Sequence, residues 1–122
     1  MNSSSTPLSI LIVEDEFIIA DEISMIVEQA GHVVLGPVGT IEEAFRLLDG
    51  KEPQFAIVDA NLNGRSSAPL AERLQALGVP FCVCTGYRSE DISPLFGQAA
   101  ILQKPVDSRA LLAIINASFP AV

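Results

Sequence analysis

Leu8-Ser9-Ile10-Leu11-Ile12-Val13-Glu14-Asp15-Glu16 is an apolar run that stops abruptly in three acids. Its length and β-branched content suit a buried strand, and its end suits the rim of a sheet. Gln54-Phe55-Ala56-Ile57-Val58-Asp59 repeats the pattern, an apolar run closed by a carboxylate. Strands apolar on both sides predict a parallel sheet covered on both faces, with the polar groups gathered at its carboxyl ends.

The segments between and beyond these two runs alternate in the same sense. Phe17–Ala30 places Ile18, Ile19, Ile23, Ile26 and Val27 among acids at a helical period and ends at Gly31. His32–Leu35 reads as a second strand closed by Gly36-Pro37. Thr40 stands three before Glu43, a capping box ahead of Ala44, Phe45, Leu47 and Leu48. Arg65-Ser66-Ser67 reads as a solvated loop leading into a helix N-terminus. Pro69–Leu77 is a helix stopped by Gly78, Pro80–Cys84 a fourth strand and Ala99–Leu102 a fifth. Asp107 caps a last helix reaching about Ser118. The alternation predicts an α/β fold, a doubly wound five-stranded parallel sheet in the order 2-1-3-4-5. Thr85–Gln98 is the exception. Pro94 bars a regular helix through it, so a shortened or irregular fourth helix is expected there.

The chain has 122 residues, 49% hydrophobic and 18% charged, which suits one domain with its own core. Residues 1–7 read as a flexible N-terminal arm and 8–122 as the domain. A formal net charge of −8 argues against nucleic acid and against an anionic membrane surface. No apolar run reaches the ~18 residues of a membrane span, and the start lacks the features of a signal peptide. Two cysteines make no disulfide scaffold, so a reduced, cytoplasmic chain is expected. Cys82 and Cys84 alternate on a strand and read as core thiols. His32, the single histidine, opens a strand far from the acids and reads as structural.

Ligands of an open parallel sheet bind beyond the carboxyl ends of its strands. The predicted ends bring Glu14, Asp15, Asp59, Thr85 and Lys104 to one edge. Three carboxylates against one ammonium are unbalanced, and a divalent cation offsets the excess. All-oxygen ligands with room for water suit Mg²⁺. Asp15 and Asp59 would bind it directly with the backbone carbonyl of Asn61, and Glu14 through a metal-bound water. An Asp beside such an ion can attack a phosphoryl group. Lys104, the Thr85 hydroxyl and backbone N–H groups after Asp59 would then face the phosphoryl oxygens. Glu14-Asp15-Glu16 also fits a plainer role, an acidic first turn favoured by the helix dipole.

With these residues in place, the chain resembles the receiver domains of two-component response regulators, from about Leu8 to Phe119. The resemblance implies that Asp59 accepts phosphate from a phosphohistidine on a sensor histidine kinase, with Thr85 as switch hydroxyl and Lys104 as phosphate partner. It implies a signalling domain rather than an enzyme, and an unknown downstream protein partner. Pro80-Phe81-Cys82-Val83-Cys84-Thr85-Gly86-Tyr87 is similar to the signature of the receivers nicknamed FAT GUY, with Val83 and Cys84 replacing the usual Phe and Ala. Those receivers are often single-domain and paired with kinases of the HWE or a related histidine-kinase type. Ile101 stands where ordinary receivers carry a switch aromatic, and Asn63 where many carry Pro; Tyr87 is a candidate for the signalling role instead. The last helical pattern lies close to the chain's end, so output is expected by protein contact or onward phosphate transfer, as a relay intermediate or sink. A flavin-binding protein lacks support, because no Gly/Ser/Thr-rich loop follows the first strand. A small Mg²⁺-dependent phosphatase lacks the second Asp such chemistry needs.

Overall fold

A computed structural model of the chain describes residues 6–86, 96–97 and 99–119. In chain order the elements are β1 (Ser9–Val13), α1 (Phe17–Gln29), β2 (Val33–Val38), α2 (Ile41–Gly50) and β3 (Phe55–Asp59). There follow the short β4 (Asn61–Leu62) and β5 (Arg65–Ser66), α3 (Ala68–Leu77), β6 (Phe81–Thr85), β7 (Ala100–Gln103) and α4 (Ser108–Ser118). The main sheet is parallel in the order β2-β1-β3-β6-β7. Counting only its five strands, this is the expected 2-1-3-4-5. The expected irregular helix between β6 and β7, and Tyr87 with it, lies outside the described residues. So do residues 1–5 of the arm.

Each face of the sheet carries its own core, which is why the central strands show no alternation. Leu11, Val13, Ala56, Val58 and Val83 pack with Ala44 and Leu48 of α2 and Leu70 and Leu74 of α3. Ile10, Ile12, Ile57, Cys82 and Cys84 pack with Ile23 and Val27 of α1 and Leu111 and Ile115 of α4. Phe96 is buried in the first of these cores. Cys82 and Cys84 are both buried and free, on the same face. The neighbouring Cys84 thiol and burial push the Cys82 thiol's pKa upward, as expected of inert core thiols.

The capping expectations hold in detail. Thr40 Oγ1 accepts from the Glu43 N–H at 3.1 Å, while Glu43 Oε1 accepts from Thr40 Oγ1 and from the Gly39 N–H. Asp107 Oδ2 accepts from the Ala110 N–H at 3.1 Å. α1 departs from the expected stripe at one position: Ile23 and Val27 face the core, but Ile18 is 71% exposed.

Two expected boundaries move, and both moves serve the carboxyl edge. β2 does not close at Gly36-Pro37 but continues to Val38. It is an edge strand, where a missing N–H costs no ladder bond. Gly36 takes φ +95°, and a Cβ there would meet the Val38 nitrogen at 2.8 Å. The register against β1 shifts between Leu11 and Val13 at this bulge, so that the Val38 carbonyl accepts from the Glu14 N–H at 2.9 Å. The second move lies after β3. Arg65-Ser66-Ser67, expected as a solvated loop, is partly ordered into the β4-β5 ladder. Its turn is Asn63-Gly64, with φ +53° and +83°, the pair of left-handed residues that a two-residue hairpin favours. A proline at position 63 could not take that φ.

Candidate functional site

Four segments meet at the carboxyl edge. The β1 end brings Glu14, Asp15 and Glu16, β3 brings Asp59, β6 brings Thr85, and the turn after β7 brings Lys104. The Lys104 N–H donates to the Thr85 carbonyl at 2.8 Å, which ties the last two together. Glu14, Asp59 and Thr85 are buried, at 4%, 5% and 1% exposure. The shallow cleft above them, about 360 Å³, is lined by Asp15, Glu16, Asp59, Asn61, Thr85 and Lys104 among others. A larger apolar groove of about 790 Å³ opens beside Phe81 and Ala100, at the amino ends of β6 and β7, and its described lining has no titratable side chain.

Lys104 is the hub. Its Nζ donates to Asp59 Oδ2 at 3.0 Å and to Glu16 Oε1 at 3.3 Å. It also lies 2.9 Å from Glu14 Oε1, but outside hydrogen-bond alignment, so that this buried oxygen has an ion contact and no hydrogen bond. Burial alone would lower the ammonium's pKa, but the Glu14 and Asp59 carboxylates outweigh it and hold Lys104 charged well above its usual range. Glu14 responds oppositely. Burial, followed by the adjacent Asp59 carboxyl, pushes its pKa up from 4.5 to about 7 against the pull of the Glu16 N–H and Lys104.

The other carboxylates are oriented by backbone. Asp59 Oδ1 accepts from the Asn61 N–H at 3.2 Å, and Asp15 Oδ2 from the Asn63 N–H at 3.2 Å. The Asn61 side chain accepts from the Gly64 N–H at 2.8 Å and closes the hairpin turn. Arg65 pins the hairpin to α2 through a 2.9 Å ion pair with Glu42. One oxygen from each of Glu14, Asp15 and Asp59 lies within 4.8 Å of the others.

The structure thus brings together every residue that the sequence placed at this edge, Asn61 included, and adds two. Glu16, expected to be only part of an acidic run, reaches Lys104. Ser67, expected in solvent, is fully buried and donates from Oγ to the Asp59 carbonyl at 2.6 Å. The signal for Ser67 was its place just before Ala68-Pro69, where a helix begins. His32 stays apart: its Nδ1 accepts from the Leu8 N–H at 3.1 Å at the opposite end of β1.

A family model for the response regulator receiver domain matches residues 10–116. The chain belongs to that family. Among solved structures, this receiver domain is similar to SdrG from Sphingomonas melonis Fr1, 32% identical with a TM-score of 0.82, covering 95% of this chain and 99% of that one. It is also similar to PhyR from Bartonella quintana, named as an anti-anti-sigma factor, 26% identical with a TM-score of 0.82. There it covers 95% of this chain and 49% of PhyR. Among curated proteins it is 25% identical over 117 residues to the transcriptional regulatory protein PdtaR of Mycobacterium tuberculosis. That match covers 93% of this chain but only 57% of PdtaR, so the receiver spans little more than half of that relative. Among its described residues no helix is long and apolar enough to cross a membrane.

Proposed function

We propose that this receiver accepts a phosphoryl group on Asp59, from a histidine kinase and with Mg²⁺, and signals through contacts with another protein. The main support is the convergence of three carboxylates and Lys104 on one cleft, with Lys104 Nζ 3.0 Å from the Asp59 carboxylate. The donor set fits Mg²⁺: hard oxygens, one buried carboxylate oxygen without a hydrogen bond, and more anionic groups than one ammonium offsets. Asp15, Asp59 and the Asn61 carbonyl would hold the ion, with Glu14 acting through its water. When bound, the ion would offset the charge of carboxylates and phosphoryl oxygens brought together.

The chain's own residues do the rest. An Asp59 carboxylate oxygen forms a P–O bond as the P–N bond of a phosphohistidine breaks. The imidazole leaves with the bonding pair and, carrying a proton on its other ring nitrogen, departs as the neutral histidine side chain. Lys104 moves a hydrogen bond onto one phosphoryl oxygen, and the buried Thr85 at the end of β6 lies on the cleft wall, where its hydroxyl would donate to another. Ser67 holds the Asp59 carbonyl, which fixes the backbone from which the nucleophile projects. By the Pro80–Tyr87 resemblance, the donor is a kinase of the HWE or a related histidine-kinase type. PhyR, named as an anti-anti-sigma factor, offers a precedent for output by protein binding. The free, buried cysteines support a reducing, cytoplasmic setting.

Incubation with acetyl phosphate and Mg²⁺, followed by intact mass, should show one phosphoryl adduct. The adduct should be absent in Asp59→Asn and without Mg²⁺. An unchanged mass, or an equal adduct in Asp59→Asn, would overturn the reading. A phosphoryl group lost within seconds would favour a relay or sink over a switch.

A further inference from the structure

The ammonium at the centre of the cleft has more acceptors than donors aligned to serve them. Lys104 directs hydrogen bonds to Asp59 Oδ2 and Glu16 Oε1 and leaves Glu14 Oε1, 2.9 Å away, with none. A phosphoryl group on Asp59 would add oxygens at the same place, so they and the neighbouring glutamates would compete for the three N–H donors of one ammonium. Burial sets which contact yields at least cost. The side chains of Glu14 and Asp59 are 1% and 6% exposed, whereas that of Glu16 is 60% exposed. A buried carboxylate stripped of its partner bears the full desolvation penalty, while an exposed one is rehydrated at little cost. Glu16 is also the N-cap residue of α1, yet its side chain makes no capping hydrogen bond and turns to Lys104 instead. Its backbone N–H meanwhile donates to Glu14 Oε2 at 3.0 Å, so the residue is held beside both partners.

We infer that Glu16 is a positioning residue that competes with the incoming phosphoryl group for Lys104 and so restrains phosphorylation until its contact breaks. This rests on the reading of Asp59 as phosphoacceptor. By taking a hydrogen bond from the ammonium, Glu16 occupies one of the donors that phosphoryl oxygens would otherwise use. Its release costs about what an exposed ion pair is worth, which sets the expected size of the effect.

The test measures the rate of phosphorylation by acetyl phosphate with saturating Mg²⁺ in wild type and Glu16→Gln, each also in a Lys104→Ala background. Glu16→Gln should raise the rate about two- to fivefold, the range of one exposed ion pair. That gain should vanish when Lys104 is absent. A gain of equal size in the Lys104→Ala background would assign the effect to the lost charge alone and overturn the inference, as would equal rates in wild type and Glu16→Gln. The lysine ammonium region of a ¹H–¹⁵N spectrum, recorded without metal, gives a readout independent of phosphorylation. The Lys104 signal should shift in Glu16→Gln while the amide spectrum elsewhere stays that of the folded protein. An unshifted Lys104 signal overturns the inference even if Lys104→Ala cannot be phosphorylated at all. A wild-type chain that takes no phosphoryl group brings down the phosphoacceptor reading itself, whereas a phosphorylated wild type with unmoved Glu16→Gln rates brings down the Glu16 inference alone.

Discussion

On β1, Ile12 is fully buried among aliphatic side chains, and two residues further on Glu14 is nearly as buried beside one ammonium that it shares with Asp59 and Glu16. The strand interior gains from burial. The strand end is burdened by it, because a carboxylate out of water favours its neutral form. On β3 a buried Ile57 is likewise followed two residues later by the buried Asp59. The sheet is therefore a stable platform that carries an electrostatically uncomfortable rim, and what is uncomfortable at rest is what a cation and a phosphoryl group can relieve.

Substitutions two residues apart should separate the two regimes most sharply. Ile12→Ala should lower the unfolding free energy by about 2–5 kcal/mol, the cost of a core cavity. Glu14→Gln should raise it by about 1–3 kcal/mol at pH 8 without metal, since the neutral isostere removes the buried charge. Glu14 is held above its ordinary value, so its contribution is fully present below about pH 4.5 and is lost as pH rises through about 7. Thermal melts in EDTA should accordingly fall between pH 5 and pH 8. Mg²⁺ should offset the fall, and Glu14→Gln should flatten it. A wild-type melting temperature that is level across this range without metal would dissolve the contrast between rim and interior.

Ser67→Ala sharpens the comparison at the junction of the two regimes. Loss of the 2.6 Å bond to the Asp59 carbonyl leaves a buried acceptor short of a partner and should cost about 1–2 kcal/mol in chemical denaturation. The phosphoryl adduct should survive, in contrast to Asp59→Asn.

The smallest effect belongs to the far end of β1. Burial lowers the His32 pKa below 6.5, and Nδ1 serves as an acceptor for the Leu8 N–H. A depressed histidine adds stability that is present above about pH 6.5 and wanes as pH falls toward its folded value. In the Glu14→Gln background, where the opposing Glu14 slope is removed, a shallow loss of melting temperature below pH 6.5 should therefore disappear on adding His32→Gln. Persistence of the same slope in the double variant would remove the role given to this histidine.

Much of this was legible in the chain alone. Runs such as Leu8–Val13 and Phe55–Val58, apolar at every position, announce strands covered on both faces, and Thr40, Gly78 and Asp107 mark helix ends through local hydrogen bonds. The acids and the lysine at successive strand ends announced a shared edge. Departures arose where the local signal was outweighed by a neighbour. Gly36-Pro37 looked like a terminator, but on an edge strand it forms a bulge that sets the register and presents the Val38 carbonyl to Glu14. Ser67 looked solvated because its partner, the Asp59 carbonyl, is eight residues away across a hairpin.

Periodicity and strand-end chemistry, both properties of short windows, determined from the sequence which residue types would assemble and in which fold. The division of labour within Glu14-Asp15-Glu16 was decided only in three dimensions. One carboxylate is buried against Lys104 without an aligned hydrogen bond, the next is held by the Asn63 N–H, and the third faces solvent with a grip on the same ammonium. Adjacent residues of like charge are equivalent to any local rule. What distinguishes them is the direction each side chain takes toward partners 48 and 88 positions away, and chain closure alone supplies that direction.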